Sequence, residues 1–392
     1  MTFMIIVSNI SSICGIRTAR RKYSALNWPP LDARSQRLVL SQCVPNLSNL
    51  DFDELSRYGF WQNAEGEKLY VLTGNAGNRR FHADILCQVI ARPLPTGSIL
   101  QVNKNLYCTS PALTALLYAR KHSFEETFML LMELLGAYTL PADATLRIER
   151  GETWPDTEPE ASVTNSETAD EHLSDEEVLS DGESQTVTDT EATIEKAIVE
   201  QVHNRCEPAA TLQDLRMLAR WATSKADRTF RQAVNLVAAG SRSPAESVQY
   251  AMLGLPFWRG GFNCLSLPGG IKLNYKIVFD TKVANIASGI PYAVCDTYIP
   301  AAKIDYEYNG IGHELEKTRI HDANRNNGLQ GMGIRVIVVD RNQLRDIPAI
   351  ESMAMLAYRL AGVQFRYRVT GYRKLQERLL NDLRMAVGMP PA

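Results

Sequence analysis

The stretch that decides the fold is DTYIPAAKIDYEY, residues 296–308. Its second half is apolar at alternate positions, which predicts a strand. Two strands of about five residues and a tight turn fit the 11 positions between Asp296 and Glu307. Each carboxylate then lies on one of two adjacent strands, near enough to share a divalent cation. Mg²⁺ takes oxygen ligands, usually one or two carboxylates with water and phosphate, which is the equipment of metal-assisted phosphodiester hydrolysis.

Helices and strands alternate on both sides of this stretch. Upstream, Ser243 can cap a helix that has Pro244 in its first turn and Glu246 at the position of a capping box. Further apolar runs predict strands at 262–267, 272–279, 292–298, 303–308 and 334–339, and helices at 209–222, 226–239, 314–330 and 347–361. This alternation predicts a mixed α/β domain over 207–392.

The net charge of the chain hides an uneven distribution. A chain of 392 residues is long enough for two or three domains, and its formal net charge is −2. Residues 1–150 carry 16 Lys and Arg against 12 Asp and Glu, 151–200 carry one Lys against 16 acidic residues, and 201–392 carry 25 basic against 16 acidic residues. The basic C-terminal part suits a polyanionic partner such as DNA, although a solvated basic surface gives the same count.

The cysteines and the N-terminus favour a reduced, cytoplasmic location. The seven cysteines are scattered, form no CxxC pair, and predict free thiols rather than a disulfide framework or a zinc site. Residues 1–16 lack the leading basic residues of a signal peptide, and no stretch of the chain is a transmembrane candidate. We therefore expect no membrane partner.

The middle of the chain is acidic. From 151 to 191 the sequence is rich in Glu, Asp, Ser and Thr and has almost no large apolar residues, so we expect a disordered linker over 143–206. The linker either only solubilises the protein or mimics nucleic acid and competes for a basic groove.

A separate α+β domain is predicted at 34–142, after a poorly defined segment at 1–33. Runs at 68–72 and 100–108 predict strands, Ser110 and Ser123 can cap two helices, and no nucleophile–base pair is evident. The run 94–140, LPTGSILQVNKNLYCTSPALTALLYARKHSFEETFMLLMELLGAYTL, resembles the C-terminal region of abortive-infection-type antitoxins and regulators. This resemblance implies a specificity or protein-partner module.

The C-terminal part resembles the PD-(D/E)XK nuclease superfamily, in the branch of very-short-patch repair endonucleases. The resemblance covers about 208–345 and rests on five elements in order, namely Ser243-Pro244-Ala245-Glu246, Asp296, Glu307-Tyr308-Asn309-Gly310, His313 and Asp322-Ala323-Asn324-Arg325. It implies a restriction-endonuclease-like mixed sheet flanked by helices and a Mg²⁺-dependent (or Mn²⁺-dependent) DNA endonuclease in defence or repair.

The resemblance also implies roles for individual residues. Asp296 and Glu307 would hold the metal with the carbonyl of Tyr308, and Glu246 would anchor a second metal or a water. His313 would act as general base or acid, and Arg325 and Arg335 would contact DNA.

The sequence departs from the family pattern at Asn309. The family has Asp at this position, and the Lys of the parent motif is absent. Asn can hydrogen-bond a water but cannot take its proton, so His313 or a metal-bound hydroxide would have to supply the base. A non-catalytic antitoxin-like regulator with a degenerate nuclease fold is therefore the alternative.

Each of these residues also has a purely structural interpretation. Glu246 suits a capping box, Asp296 a strand-end turn, and His313 a loop. Asp322 and Arg325 suit a surface ion pair. Asp305 lies two positions before Glu307, on the same face of the predicted strand, so it is a rival metal ligand.

Overall fold

The computed structural model describes residues 4–45, 50–80, 82–153, 202–308, 316–367 and 370–392. They form a mixed α/β protein with a five-stranded sheet in the N-terminal half and a four-stranded sheet in the C-terminal half. None of the helices in these ranges is long and apolar enough to cross a membrane.

The N-terminal sheet is built around the first strand of the chain. Its strands are β1 (Ile5–Val7), β2 (Leu69–Thr73), β3 (Ile85–Val89), β4 (Ile99–Gln101) and β5 (Leu106–Thr109), in the order β3-β2-β1-β5-β4. β1 runs parallel to β5 and antiparallel to β2. The segment 1–33, for which the sequence predicts no definite structure, thus supplies the central strand.

Six α-helices lie in the described residues of this half. They are α1 (Asn9–Tyr23), α2 (Ala33–Gln42), α3 (Phe52–Arg57), α4 (Pro111–Ala119), α5 (Phe124–Leu135) and α6 (Ala144–Glu149). The predicted caps are confirmed. The side chain of Ser110 accepts the N–H of Leu113, and Ser123 forms a capping box with Glu126.

The single strand predicted at 100–108 is wrong, because a turn divides it into β4 and β5. The side-chain oxygen of Asn103 accepts the N–H groups of Asn105 and Leu106, both at 2.9 Å. Asn favours such turns because its side chain can bond the backbone two residues ahead. The two halves of the run therefore pair antiparallel as a hairpin.

The acidic linker falls mostly outside the described residues, since 154–201 are not among them. Its predicted ends are ordered. Ala144–Glu149 form α6, and β6 (Tyr138–Thr139) pairs antiparallel with β7 (His203–Asn204). The predicted disordered segment, 143–206, therefore includes ordered residues at both of its ends.

The C-terminal half contains a four-stranded sheet and eight helices within the described ranges. The strands are β8 (Lys272–Val278), β9 (Tyr292–Ile299), β10 (Ile304–Tyr308) and β11 (Arg335–Val339), in the order β11-β10-β9-β8. The helices are α7 (Leu212–Trp221), α8 (Arg228–Val234), α9 (Pro244–Gly254), α10 (Thr281–Ile286), α11 (Glu316–Gly331), α12 (Arg341–Arg345), α13 (Ile347–Leu360) and α14 (Tyr372–Met385). β10 is parallel to β11 and antiparallel to β9, and β9 is antiparallel to β8.

Two predictions in this half are corrected. The run 262–267 is not a strand but contains a short 3₁₀ turn, Cys264–Ser266. The helix predicted at 226–239 is shorter, because it ends at Val234. α14 was not predicted, although its leucines lie on one face of the helix.

One apolar core joins the two halves. Leu116 and Leu131 of the N-terminal helices lie in the same buried cluster as Leu215, Phe230 and Leu253 of the C-terminal half. This shared core means that α7 and α8 bury their apolar faces in a common interior. The division into separate domains at 34–142 and 207–392 stays a prediction.

Candidate functional site

Two adjacent antiparallel strands carry the predicted acidic residues. The register pairs Ile304 with Ile299 and Asp305 with Tyr298. Continued by two residues, this register sets Glu307 across from Asp296. The backbone N–H of Tyr308 donates to Oδ2 of Asp296 at 3.3 Å, so the two strands are in contact at this level.

Asp296 lies where the regular alternation of buried side chains along β9 is interrupted. Ala293, Cys295 and Tyr298 all pack in one apolar cluster, so the alternation of the strand shifts by one residue between 295 and 298. On β8 the neighbouring position is Asn274, whose φ of 45° is in the left-handed region. Burial raises the pKa of Asp296, and the nearby carboxylates of Glu246 and Glu307 add to the rise.

Glu246 approaches the same point from the first turn of α9. Ser243 caps the helix by accepting the N–H of Glu246 at 3.1 Å, as predicted. The carboxylate of Glu246 accepts the N–H of Arg242 at 2.9 Å and the side-chain amide of Asn274 at 2.8 Å. Glu246 therefore both takes part in capping the helix and lies beside Asp296. Burial raises the pKa of Glu246.

Asp305 and Glu307 each keep one carboxylate oxygen without a partner. Oδ1 of Asp305 accepts the N–H of Thr297 at 3.2 Å, and Oε2 of Glu307 is paired with the guanidinium of Arg325. The second oxygens, Oδ2 of Asp305 and Oε1 of Glu307, are buried and accept no hydrogen bond when both groups are ionised, although the Asp305 side chain lies within hydrogen-bonding reach of Cys295 and Glu307. Buried carboxylate oxygens without donors are costly, which favours the protonated acid or a bound cation.

The pKa values of the cluster also favour a protonated acid or a bound cation. Burial, with Glu246 and Glu307 nearby, raises the pKa of Asp296 to about 7. Burial, with Glu307 and Asp296 nearby, raises the pKa of Asp305 to about 8. Burial alone would lower the pKa of Arg325, but the neighbouring carboxylates raise it overall. Arg325 is therefore the charged partner of an otherwise acidic cluster.

Two amide side chains add further buried oxygens that have no donor. Gln249 of α9 donates its amide N–H groups to Oγ1 of Thr297 and to the carbonyl of Tyr306, both at 2.9 Å. Asn274 donates to the carbonyl of Gly240 at 2.8 Å. Carbonyl partners can only accept, so the orientation of both amides is determined. Oε1 of Gln249 and Oδ1 of Asn274 are left without donors.

The carboxylate oxygens of the cluster are the ligand type that a hard cation prefers. No three His, Cys, Asp or Glu side chains of the described residues already converge as ligands of one ion. In this arrangement Arg325 is paired with Oε2 of Glu307, and the Tyr308 N–H donates to one oxygen of Asp296. A metal on Oε2 of Glu307 would require Arg325 to move away, whereas Oε1 has no such partner.

Not all predicted site residues enter this cluster. Asn309 and His313 lie outside the described residues. Arg325 has Glu307 as its ion-pair partner, whereas Asp322 lies beside His321 at 3.8 Å, so the alternative of an Asp322–Arg325 surface ion pair is wrong. Arg335 is exposed at the start of β11, where it pairs with Ile304 of β10.

Gln249 and Asn274 were missed by the sequence analysis. Each gave a weak signal, namely an uncharged polar residue inside an otherwise apolar helix and an Asn inside a predicted strand, where Asn is disfavoured.

Comparison of the chain with models of protein families, with curated proteins and with solved structures finds no match. The resemblance to PD-(D/E)XK nucleases therefore stays an expectation from the sequence.

Proposed function

We propose that this protein is a Mg²⁺-dependent (or Mn²⁺-dependent) DNA endonuclease that hydrolyses phosphodiester bonds at the cluster of Asp296, Asp305, Glu307 and Glu246. One observation carries the proposal. The carboxylates of Asp296, Asp305 and Glu307 lie close enough to raise the pKa of their neighbours, two of their buried oxygens accept no hydrogen bond when the groups are ionised, and Arg325 is paired with Glu307. Such an excess of acceptors suits a divalent cation.

The order of elements supports the proposal. A helix with an early Glu (α9) precedes three antiparallel strands, of which the second bears Asp296 and the third Glu307. A helix (α11) and a parallel strand (β11) follow. This is the order that the resemblance to PD-(D/E)XK nucleases implies, so a restriction-endonuclease-like fold is part of the proposal.

Each side chain of the cluster has its own role in this proposal. Asp296 and Glu307 would hold the metal, with the Tyr308 carbonyl or Asp305 completing the set. When bound, Mg²⁺ supplies electrostatic stabilisation of the charge that develops on the phosphate. Where the Tyr308 carbonyl completes the set, Asp305, whose pKa is raised to about 8 by burial and its acidic neighbours, would keep its proton at neutral pH and limit the negative charge that phosphate would meet. Gln249 holds the two strands at a constant separation through Thr297 and Tyr306.

Arg325 has a second role in this proposal. In the absence of metal its guanidinium neutralises Glu307 and lessens repulsion within the cluster. The same guanidinium would be suited to contact phosphate oxygens of a substrate, which it recognises well. Arg335 and the excess of basic residues over 201–392 would contribute further phosphate contacts. The N-terminal half would supply specificity or bind a protein partner.

Nicking of supercoiled plasmid by the purified full-length protein tests the proposal. We expect nicking with Mg²⁺ or Mn²⁺, none with a chelator, and a loss of at least about 100-fold in Asp296→Ala because one ligand and its charge are removed. Asp322→Ala is the matched control on the neighbouring helix and should retain wild-type nicking. Activity that survives in Asp296→Ala would contradict the proposal.

A non-catalytic, antitoxin-like DNA-binding regulator is the second candidate. The Glu307–Arg325 pair favours it, because an arginine already compensates a carboxylate that a metal would otherwise need. Asn309 in place of an acid favours it as well. A protein that binds DNA equally with and without Mg²⁺, and that never nicks it, would be this regulator.

A further inference from the structure

A stacked pair of tyrosines borders the acidic cluster. Tyr275 on β8 lies over the ring of Tyr298 on β9, with centroids 5.6 Å apart and planes inclined by 10°. Tyr298 is only 8% exposed, whereas Tyr275 is 45% exposed, although large aromatic side chains are usually mostly buried. β8 is an edge strand of this sheet in the described part of the chain.

The tyrosine pair lies one strand away from the carboxylates. Tyr298 pairs with Asp305 of β10 on one side and with Lys272 of β8 on the other. Directly opposite residues of adjacent strands share a face, and neighbouring strands are about 4.8 Å apart. Burial raises the pKa of Tyr298, and the nearby Cys295, Tyr275 and Asp305 add to the rise. An aromatic surface, an exposed lysine and the acidic cluster thus occupy neighbouring positions on one face.

We propose that Tyr275 is a platform on which an unpaired base of a DNA strand stacks, with Lys272 binding an adjacent phosphate. The substrate class that follows is single-stranded DNA, or duplex DNA with an unpaired base. In an intact duplex both faces of each base are covered by neighbouring base pairs, so no base could extend the Tyr298–Tyr275 stack. A single strand offers free base faces, and aromatic stacking combined with a cationic contact is how proteins bind it.

This inference names a substrate class for the proposed function. It rests on the proposed function for hydrolysis of that substrate, but binding of a single strand does not depend on hydrolysis. A base on Tyr275 would bring its strand beside Asp305 and Glu307, within one or two strand spacings of the carboxylates. Because binding can be measured without cleavage, the two proposals can fail separately.

The same sheet offers a matched control. Tyr292 on β9 is 43% exposed, nearly as much as Tyr275. It differs in position, because its neighbour Ala293 packs in the same cluster as Tyr298, so Tyr292 points to the opposite face. The Nζ atom of Lys276 lies 3.9 Å from the centroid of its ring. Exposure alone therefore does not distinguish the two tyrosines, but the face of the sheet does.

Fluorescence anisotropy with a labelled oligothymidylate of about twelve nucleotides tests the inference, with the full-length protein in a chelator. Tyr275→Ala should weaken binding about 5- to 100-fold, the range that loss of one stacked base gives. Tyr275→Phe and Tyr275→Trp should stay within about twofold of wild type because they keep the ring. Tyr292→Ala should bind as wild type. Lys272→Ala should weaken binding and reduce its salt dependence by about one phosphate contact.

Several results would overturn the inference. Wild-type binding by Tyr275→Ala would exclude the platform, as would an equal loss in Tyr292→Ala. Failure of Tyr275→Phe and Tyr275→Trp to restore binding would assign the tyrosine a structural role only. Tighter binding of a perfect duplex than of the single strand would assign the face to double-stranded DNA.

The outcomes separate this inference from the proposed hydrolysis. Tyr275-dependent binding without Mg²⁺-dependent nicking would retain the platform and remove the enzyme. Nicking that requires Asp296, together with single-strand binding that ignores Tyr275, would retain the enzyme and remove the platform.

Discussion

The acidic cluster should make the metal-free protein less stable as the pH rises. Burial and neighbouring carboxylates raise the pKa of Asp296 to about 7 and that of Asp305 to about 8, against 3.8 for an ordinary Asp. Both groups therefore keep their protons to a higher pH in the folded than in the unfolded chain. The folded state binds more protons between about pH 4 and pH 8, so the free energy of unfolding falls as the pH rises through this range.

Replacing Asp296 with Asn removes the charge and keeps an oxygen that can accept the Tyr308 N–H. A pKa raised by about three units corresponds to about 4 kcal/mol at a pH above the raised pKa. Partial solvent exposure screens this penalty, so we expect Asp296→Asn to raise the free energy of unfolding by about 1–3 kcal/mol at pH 8 and by almost nothing at pH 4.

Urea unfolding of the full-length protein in a chelator, followed by circular dichroism, measures this difference. Mg²⁺ added at pH 8 should stabilise the wild type, because it binds only the folded form, and should stabilise Asp296→Asn much less. Asp305→Asn and Glu307→Gln identify the second ligand. A destabilised Asp296→Asn at pH 8, or a stabilisation that is the same at pH 4, would refute the electrostatic reasoning.

Three other predictions concern the core and the surface. Arg17→Met should cost about 3–5 kcal/mol in thermal unfolding, because it leaves the buried carboxylate of Glu133 without its ion-pair partner at 2.7 Å, and the additional change Glu133→Gln should recover part of the loss. Gly328→Ala should destabilise the protein by about 1–3 kcal/mol, since a Cβ would lie 2.3 Å from the ring of Phe279, whereas Gly331→Ala, with its nearest neighbour at 3.4 Å, should be close to neutral. DNA binding should weaken steeply from low to physiological salt as counterions are released, and an affinity that is flat with salt would remove the DNA assignment.

Local features of the fold were predictable from the sequence because their causes are local. Ser110, Ser123 and Ser243 cap their helices through side chains three residues from the groups that they bond. The spacing of Asp296 and Glu307 places the two residues on neighbouring strands because a short connection leaves few other pairings. Apolar residues that alternate in β8 and β10 and form a continuous run in β11 likewise identify these strands.

Features that depend on distant parts of the chain were not predictable. The partner of Arg325 lies 18 positions away in sequence, and a nearer carboxylate, Asp322, was the obvious alternative. Asn274 enters the site because of a left-handed backbone conformation that no neighbouring residue specifies. The apolar stripes of α7 and α8 predict burial but do not say against what, so the core shared with the N-terminal helices appears only in the three-dimensional structure.

The most direct test of the account is the location of a bound metal. Crystals of the full-length protein soaked in Mn²⁺ and measured at the manganese absorption edge should give an anomalous peak between the carboxylates of Asp296 and Glu307, with the side chain of Arg325 displaced from Glu307. A peak elsewhere, or full retention of the Arg325–Glu307 ion pair with no peak at saturating Mn²⁺, would contradict the account and leave a DNA-binding regulator without a catalytic metal.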